Sequence, residues 1–107
     1  METITADELK QRVENDEGAV VNVLRPEDYA EEHIPNSSNI PMPEPEERFP
    51  EEFEMDDDIV VYCADAECSA SPDVAETLES LGFENVKDYE EGLAGWKAQG
   101  YETESAS

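Results

Sequence analysis

The run Ile59-Val60-Val61-Tyr62 is apolar throughout and stops at Cys63, where the chain turns polar in Ala64-Asp65-Ala66-Glu67-Cys68 before a helix predicted to begin near Ser69. A second apolar run, at residues 19 to 24, is followed by Pro26, which can open a brief helix reaching Tyr29. Strands alternating with helices in this way require a mostly parallel central sheet with helices on both faces, an α/β fold. In such sheets ligands bind beyond the carboxyl ends of the strands, and Cys63 occupies that edge. A thiol between a strand end and a helix N-terminus meets unpaired backbone N–H groups and the positive end of the helix dipole, both of which favour thiolate over thiol. Cys63 is therefore the candidate nucleophile, expected as an accessible, ionisable sulfur.

The remaining elements follow from local signals. Thr5-Ala6-Asp7-Glu8 has the form of a capping box, with Ile4 and Leu9 as a hydrophobic staple and Val13 extending the apolar face toward a stop at Gly18. His33-Ile34-Pro35-Asn36 reads as a turn, and Asn39-Ile40-Pro41 as a short strand. The segment from 43 to 55 sets Pro43, Pro45 and Pro50 among glutamates and reads as a surface excursion, with short helical turns around Phe49 and Phe53. A helix is predicted from about residue 69 to 81, with Val74, Leu78 and Leu81 on one face, Gly82 as its stop, and either Ser69 or Ser71 as its cap. Residues 85 to 88 read as a short strand and 90 to 98 as a last helix with Leu93 and Trp96 inward. One domain is expected over residues 1 to 101, with 102 to 107 as a frayed tail.

Charge narrows the range of partners. Asp and Glu number 30 against 6 Lys and Arg, a formal net charge of -24, with the carboxylates spread between core positions along the chain. That spacing suits solubility in concentrated salt and implies a halophilic source. Phosphate contacts need Lys and Arg, and the few present cannot form a basic patch, so nucleic acid is not an expected partner. Met1-Glu2-Thr3-Ile4 has neither a basic start nor an apolar stretch, and no run approaches membrane-spanning length. A cytoplasmic monomer is expected, in a compartment where cysteines serve more often as reactive thiols than as staples.

Cys68 is open to two readings, a resolving thiol for Cys63 or a loop-packing residue. A zinc site is not expected, since the chain offers Cys63, Cys68 and a distant His33 where four ligands are normally needed. His33 is expected to organise its turn, and Trp96 to pack in the core. A cysteine-phosphatase loop would place an arginine where this chain has Ser69, so that chemistry is not expected either.

Three stretches together carry a family likeness. They are Asn22-Val23-Leu24-Arg25-Pro26-Glu27-Asp28-Tyr29 running on to His33-Ile34-Pro35 and Asn39-Ile40-Pro41; Val60-Val61-Tyr62-Cys63 running on to Ser69; and Leu81-Gly82-Phe83-Glu84-Asn85-Val86, then Tyr89, Gly92 and Trp96. In order and spacing the chain resembles a single-domain rhodanese, of the subgroup with a second cysteine in the loop. The resemblance implies a sulfurtransferase with no cofactor. Cys63 would take the outer sulfur of a persulfide or thiosulfate donor, hold it as a persulfide, and pass it to a thiol or protein acceptor. The backbone of Ala64, Asp65, Ala66, Glu67, Cys68 and Ser69 would cradle that anion.

Departures from the family pattern are Ala66 for a glycine, Cys68 for a basic residue, Asn22 and Leu24 for an aspartate and an arginine, and Glu32 and Asn36 for glycines. Loss of the loop cation removes a charge-assisted contact worth about 1.5 to 3 kcal/mol, which disfavours the thiosulfate dianion as donor. The alternatives are a catalytically inert interaction module on the same fold, or a thiol/persulfide redox protein using Cys63 and Cys68.

Overall fold

The computed structural model of the chain describes residues 2–41, 45–65 and 70–105. Its centre is a sheet of five strands, all parallel, in the order β1-β5-β4-β2-β3. The strands are β1 (Glu2–Thr3), β2 (Ala19–Asn22), β3 (Ser37–Asn39), β4 (Asp58–Tyr62) and β5 (Asn85–Tyr89). The helices between them are α1 (Ala6–Asn15), α2 (Pro26–Glu31), α3 (Pro45–Glu52), α4 (Ala70–Leu81) and α5 (Gly92–Ala98). The α/β reading of the sequence is met, and the sheet is wholly parallel.

Period-2 alternation divides the core between the two sheet faces. Val21, Ile59, Val61, Cys63 and Val86 face one way, against Phe49 of α3 and Val74, Ala75 and Leu78 of α4. Val20, Val60, Tyr62 and Tyr89 face the other, against Leu9 and Val13 of α1 and Trp96 of α5. The middle strand β4 is apolar at every position after Asp58 because both of its faces are covered.

Most local signals hold. Thr5 caps α1, its hydroxyl accepting from the Glu8 N–H at 3.2 Å, and Ile4 and Leu9 are buried in one cluster as a staple requires. Gly82, at φ +107, ends α4, with its N–H donating to the Glu79 carbonyl and that of Phe83 to the Leu78 carbonyl.

Several expectations shift. The left-handed stop of α1 is Asp16 at φ 54, while Gly18 makes the turn into β2, where a Cβ would lie 2.9 Å from the Asp58 carbonyl oxygen. The short strand falls on Ser37–Asn39 rather than at residues 39 to 41. The surface excursion is a helix with a buried side: Phe49 is fully buried and packs on Phe53 and Phe83. Proline density hid this, because Pro45 opens α3 and Pro50 sits late in a short helix. Ser71 is inside α4 and does not cap it; Ser69 lies outside the described residues. The edge strand β1 gave no signal, being too short for any alternation.

The chain from residue 102 makes contacts with the body of the fold as far as Glu104. Trp96 Nε1 donates to the Glu102 carbonyl at 2.7 Å, Thr103 Oγ1 donates to a Glu32 carboxylate oxygen at 2.7 Å, and Glu104 forms an antiparallel bridge with His33. Residues 106 and 107 lie outside the described residues. No helix among the described residues is long and apolar enough to cross a membrane.

Candidate active site

Cys63 directly follows β4, at the carboxyl edge of the sheet, on the face covered by α4. The first carbonyls of the loop it opens are tied to the start of α5. Leu93 N–H donates to the Cys63 carbonyl at 2.9 Å and Ala94 N–H to the Ala64 carbonyl at 2.8 Å. In a trans peptide the N–H points opposite the C=O, so this pairing turns the Ala64 and Asp65 N–H groups away from α5.

Gly92 makes the close approach possible. Its φ is +65, and a Cβ there would lie 2.6 Å from the Cys63 carbonyl oxygen and 2.7 Å from the Asp65 nitrogen. Sequence reasoning took Gly92 as part of a family pattern; its physical role is to let α5 start against the Cys63 loop.

The sulfur is not the exposed thiol the sequence reading expected. Cys63 is 1 % exposed, within the apolar cluster formed with Val61, Val74 and Val86. It is disulfide-bonded in this structure. The other cysteine of the sequence, Cys68, lies with Ala66, Glu67 and Ser69 outside the described residues. Of the expected cradle, Ala64 and Asp65 are described, and both are exposed.

The structure brings to Cys63 a polar residue that the sequence reading did not single out for the site. Ser71, in the first turn of α4 and buried, places its Oγ 3.6 Å from Cys63 Sγ. A disulfide sulfur has no proton, so the Ser71 hydroxyl is the donor in that contact. The Asp65 carbonyl oxygen lies 4.0 Å from the same sulfur.

Asp88 is fully buried near the end of β5, in register with Val61 and alternating with Val86, hence on the face that holds Cys63. Neither of its carboxylate oxygens meets a hydrogen-bond partner among the described residues. Burial raises its pKa, the nearby Ser71 hydroxyl opposes that rise without reaching hydrogen-bond geometry, and the Glu90 charge adds to it. No sequence signal marks such a group, since one aspartate among so many reads as surface.

Asn22, which stands where the family pattern has an aspartate, is structural. Its Oδ1 accepts from Leu24 N–H at 2.7 Å and its Nδ2 donates to the Tyr62 hydroxyl at 3.2 Å. His33 organises its turn as expected, Nδ1 lying 2.7 Å from the Tyr29 carbonyl oxygen and the ring stacked on Tyr29. A cavity of about 500 Å³ lined by Lys10, Val13, Asn36, Trp96 and Tyr101 lies on the α1 and α5 face, across the sheet from Cys63.

Comparison with known proteins agrees with this architecture. The family model described as Rhodanese-like domain matches residues 5–99. The chain belongs to the rhodanese-like family.

Among its relatives is the HTH-type transcriptional regulator Rv0324 of Mycobacterium tuberculosis, 37% identical over 99 residues, covering 92% of this chain and 43% of the regulator. Another is YrkF of Bacillus subtilis, named as a candidate sulfur carrier protein, 31% identical over 94 residues, covering 87% of this chain and 49% of YrkF. The chain thus spans less than half the length of either. The crystal structure of the Alr3790 protein from Anabaena superposes with a TM-score of 0.87 at 33% identity, covering 95% of this chain and 82% of that one. The rhodanese-like sequence therefore occurs in relatives whose names give differing roles.

Proposed function

We propose that this chain is a sulfur carrier of the sulfurtransferase type, holding sulfane sulfur as a persulfide on Cys63 and passing it to a small thiol or a protein thiol. The observation that carries the reading is the placement of Cys63 Sγ at the carboxyl edge of a parallel sheet, 3.6 Å from a buried hydroxyl donor and in a loop tied back to α5. The name of the relative YrkF supports it.

The chemistry balances without a cofactor. The Cys63 thiolate attacks the outer sulfur of a persulfide donor, the new S–S bond forms, and the donor leaves as its thiolate. An acceptor thiolate then attacks the outer sulfur on Cys63 and regenerates the Cys63 thiolate. In the cytoplasm, the compartment we assign, thiols supply both the donors and the acceptors. A persulfide donor fits better than thiosulfate, since the described loop residues Ala64 and Asp65 bring no cation and Asp65 brings a carboxylate.

The disulfide on Cys63 favours a second activity of the same pair. Cys68, as a resolving thiolate, attacks the inner sulfur of the Cys63 persulfide, so that the outer sulfur leaves as hydrosulfide and a disulfide remains. A reductant then resets the pair.

The test is intact-mass analysis of the reduced protein after incubation with glutathione persulfide or with thiosulfate. One added sulfur, lost in Cys63→Ser with the fold intact, is the expected result with the persulfide. Failure of the folded protein to take sulfur from either donor would leave an inert interaction module. Hydrosulfide release that Cys68→Ser abolishes marks the resolving step.

A further inference from the structure

The cavity of about 500 Å³ on the α1 and α5 face takes no part in the chemistry at Cys63, from which the sheet separates it. Its size falls within the range of about 300 to 1,000 Å³ usual for ligand pockets. Val13, Pro35 and Trp96 give it apolar walls, and the Tyr101 ring meets Trp96 in an edge contact with centroids 5.0 Å apart. The Tyr101 hydroxyl donates to Asp7 Oδ1 at 2.5 Å, so a carboxylate draws on the phenol proton and leaves the ring richer in electrons.

A cation already answers that ring. Lys10 Nζ lies 4.7 Å from the Tyr101 centroid and 3.7 Å from a Glu14 carboxylate oxygen. Glu14 and Glu102 line the same cavity, two acidic residues against one lysine, in a chain of net charge -24. Asn36 supplies another part of the wall. It stands where the family pattern has glycine, holds a left-handed φ of 64, and donates from Nδ2 to the Val13 carbonyl at 3.1 Å. Glycine there would leave that wall open.

We propose that this cavity is a docking site for an arginine side chain carried by a basic segment of a partner protein, the guanidinium taking the place of Lys10 over Tyr101 and pairing with Glu14. The charge of the cavity selects a cation, and its apolar walls select among cations. A guanidinium is planar, stacks on aromatic faces and is weakly hydrated. The Lys10 ammonium is compact and strongly hydrated, and with its side chain 43% exposed it has water to move into when displaced. The remaining volume takes an apolar residue next to the arginine. The negative field of the chain draws a basic partner in before contact is made. Since the cavity and Cys63 are on opposite sheet faces, this inference does not rest on the sulfur-carrier reading.

The sequence has one tryptophan, Trp96, and it lines the cavity, so its fluorescence reports occupancy. The full chain is titrated with the blocked dipeptide acetyl-leucyl-arginine amide up to about 10 mM, enough to saturate a site with a Kd of about 1 mM. Counterparts carry citrulline, lysine or glutamate in place of arginine. The expected result is a saturable change with the arginine peptide, about tenfold weaker binding of the neutral citrulline peptide and about threefold weaker binding of the lysine peptide.

Lys10→Met keeps an apolar stem and removes the resident cation, so it should tighten arginine binding about threefold, while Glu14→Gln should weaken it about fivefold. Both side chains are exposed on α1, so both variants should fold, which circular dichroism checks. Lys87→Met makes the same change in charge away from the cavity and should leave the affinity unchanged. The absence of a saturable change, equal affinity for the citrulline peptide, or failure of Lys10→Met to tighten binding overturns the proposal. So does binding of the glutamate peptide that is lost in Lys10→Met, which would make Lys10 the anchor of an anion site.

Discussion

Tyr62 and Asp88 are both buried, on opposite faces of neighbouring strands, and they differ in how their polar atoms are met. The Tyr62 hydroxyl accepts from Asn22 Nδ2 at 3.2 Å and from Ile34 N–H at 3.1 Å, and lies 2.9 Å from Ser37 Oγ. Tyr62→Phe leaves those groups unpaired in the interior, and urea unfolding should give a loss of about 1 to 3 kcal/mol. Asp88 has no partner to lose. Its folded pKa is raised by burial above the unfolded value. Its contribution to stability is therefore full below the unfolded pKa and is lost as pH rises through the folded one. Asn does not titrate, so Asp88→Asn should gain stability relative to wild type as pH rises from about 4 to about 8, and thermal unfolding along that series checks it. A difference independent of pH would show Asp88 to be ionised in the folded protein. Neither environment was legible beforehand: Tyr62 read as the end of an apolar run, and Asp88 as one more acidic residue.

Elements were more legible than their edges. The α1 cap was written in Thr5 and Glu8 because its physics is local, and Thr5→Ala should cost about 1 kcal/mol by denaturant unfolding. Helix α3 was hidden because its reason to exist is tertiary: Phe49 fills the space between β2, β4 and α4. Phe49→Ala should cost about 3 to 5 kcal/mol, where a solvated excursion would lose almost nothing. The start of α5 illustrates the same dependence. Gly92→Ala sets a Cβ against the Cys63 carbonyl at a left-handed φ, so the loop must move. We expect a lower denaturation midpoint and slower alkylation of Cys63 in this variant, with far-ultraviolet circular dichroism preserved.

For the whole molecule the balance is between a largely apolar core and a surface dominated by negative charge. Glu54, Asp56 and Asp57 bring carboxylate oxygens within 4.8 Å of one another, with 30 acidic residues and only 6 Lys and Arg in the sequence. Raising salt from about 0.1 M to about 1 M shortens the Debye length from about 10 Å to about 3 Å, which screens that repulsion. The urea midpoint and the rate of sulfur loading should both rise over that range; a protein that stays folded while Cys63 reactivity falls would contradict this. Apolar runs, caps and turn residues determined the α/β class, a mostly parallel sheet and the position of Cys63 at the sheet edge, because strand periodicity and helix capping are properties of neighbouring residues. Tertiary structure alone decided that Cys63 is buried and bonded, that Ser71 stands 3.6 Å from its sulfur, that Asp88 is buried on the same sheet face, and that α5 holds its loop. Those facts depend on which strands are adjacent and how helices seat on them, relations between residues far apart in the chain that no local pattern records.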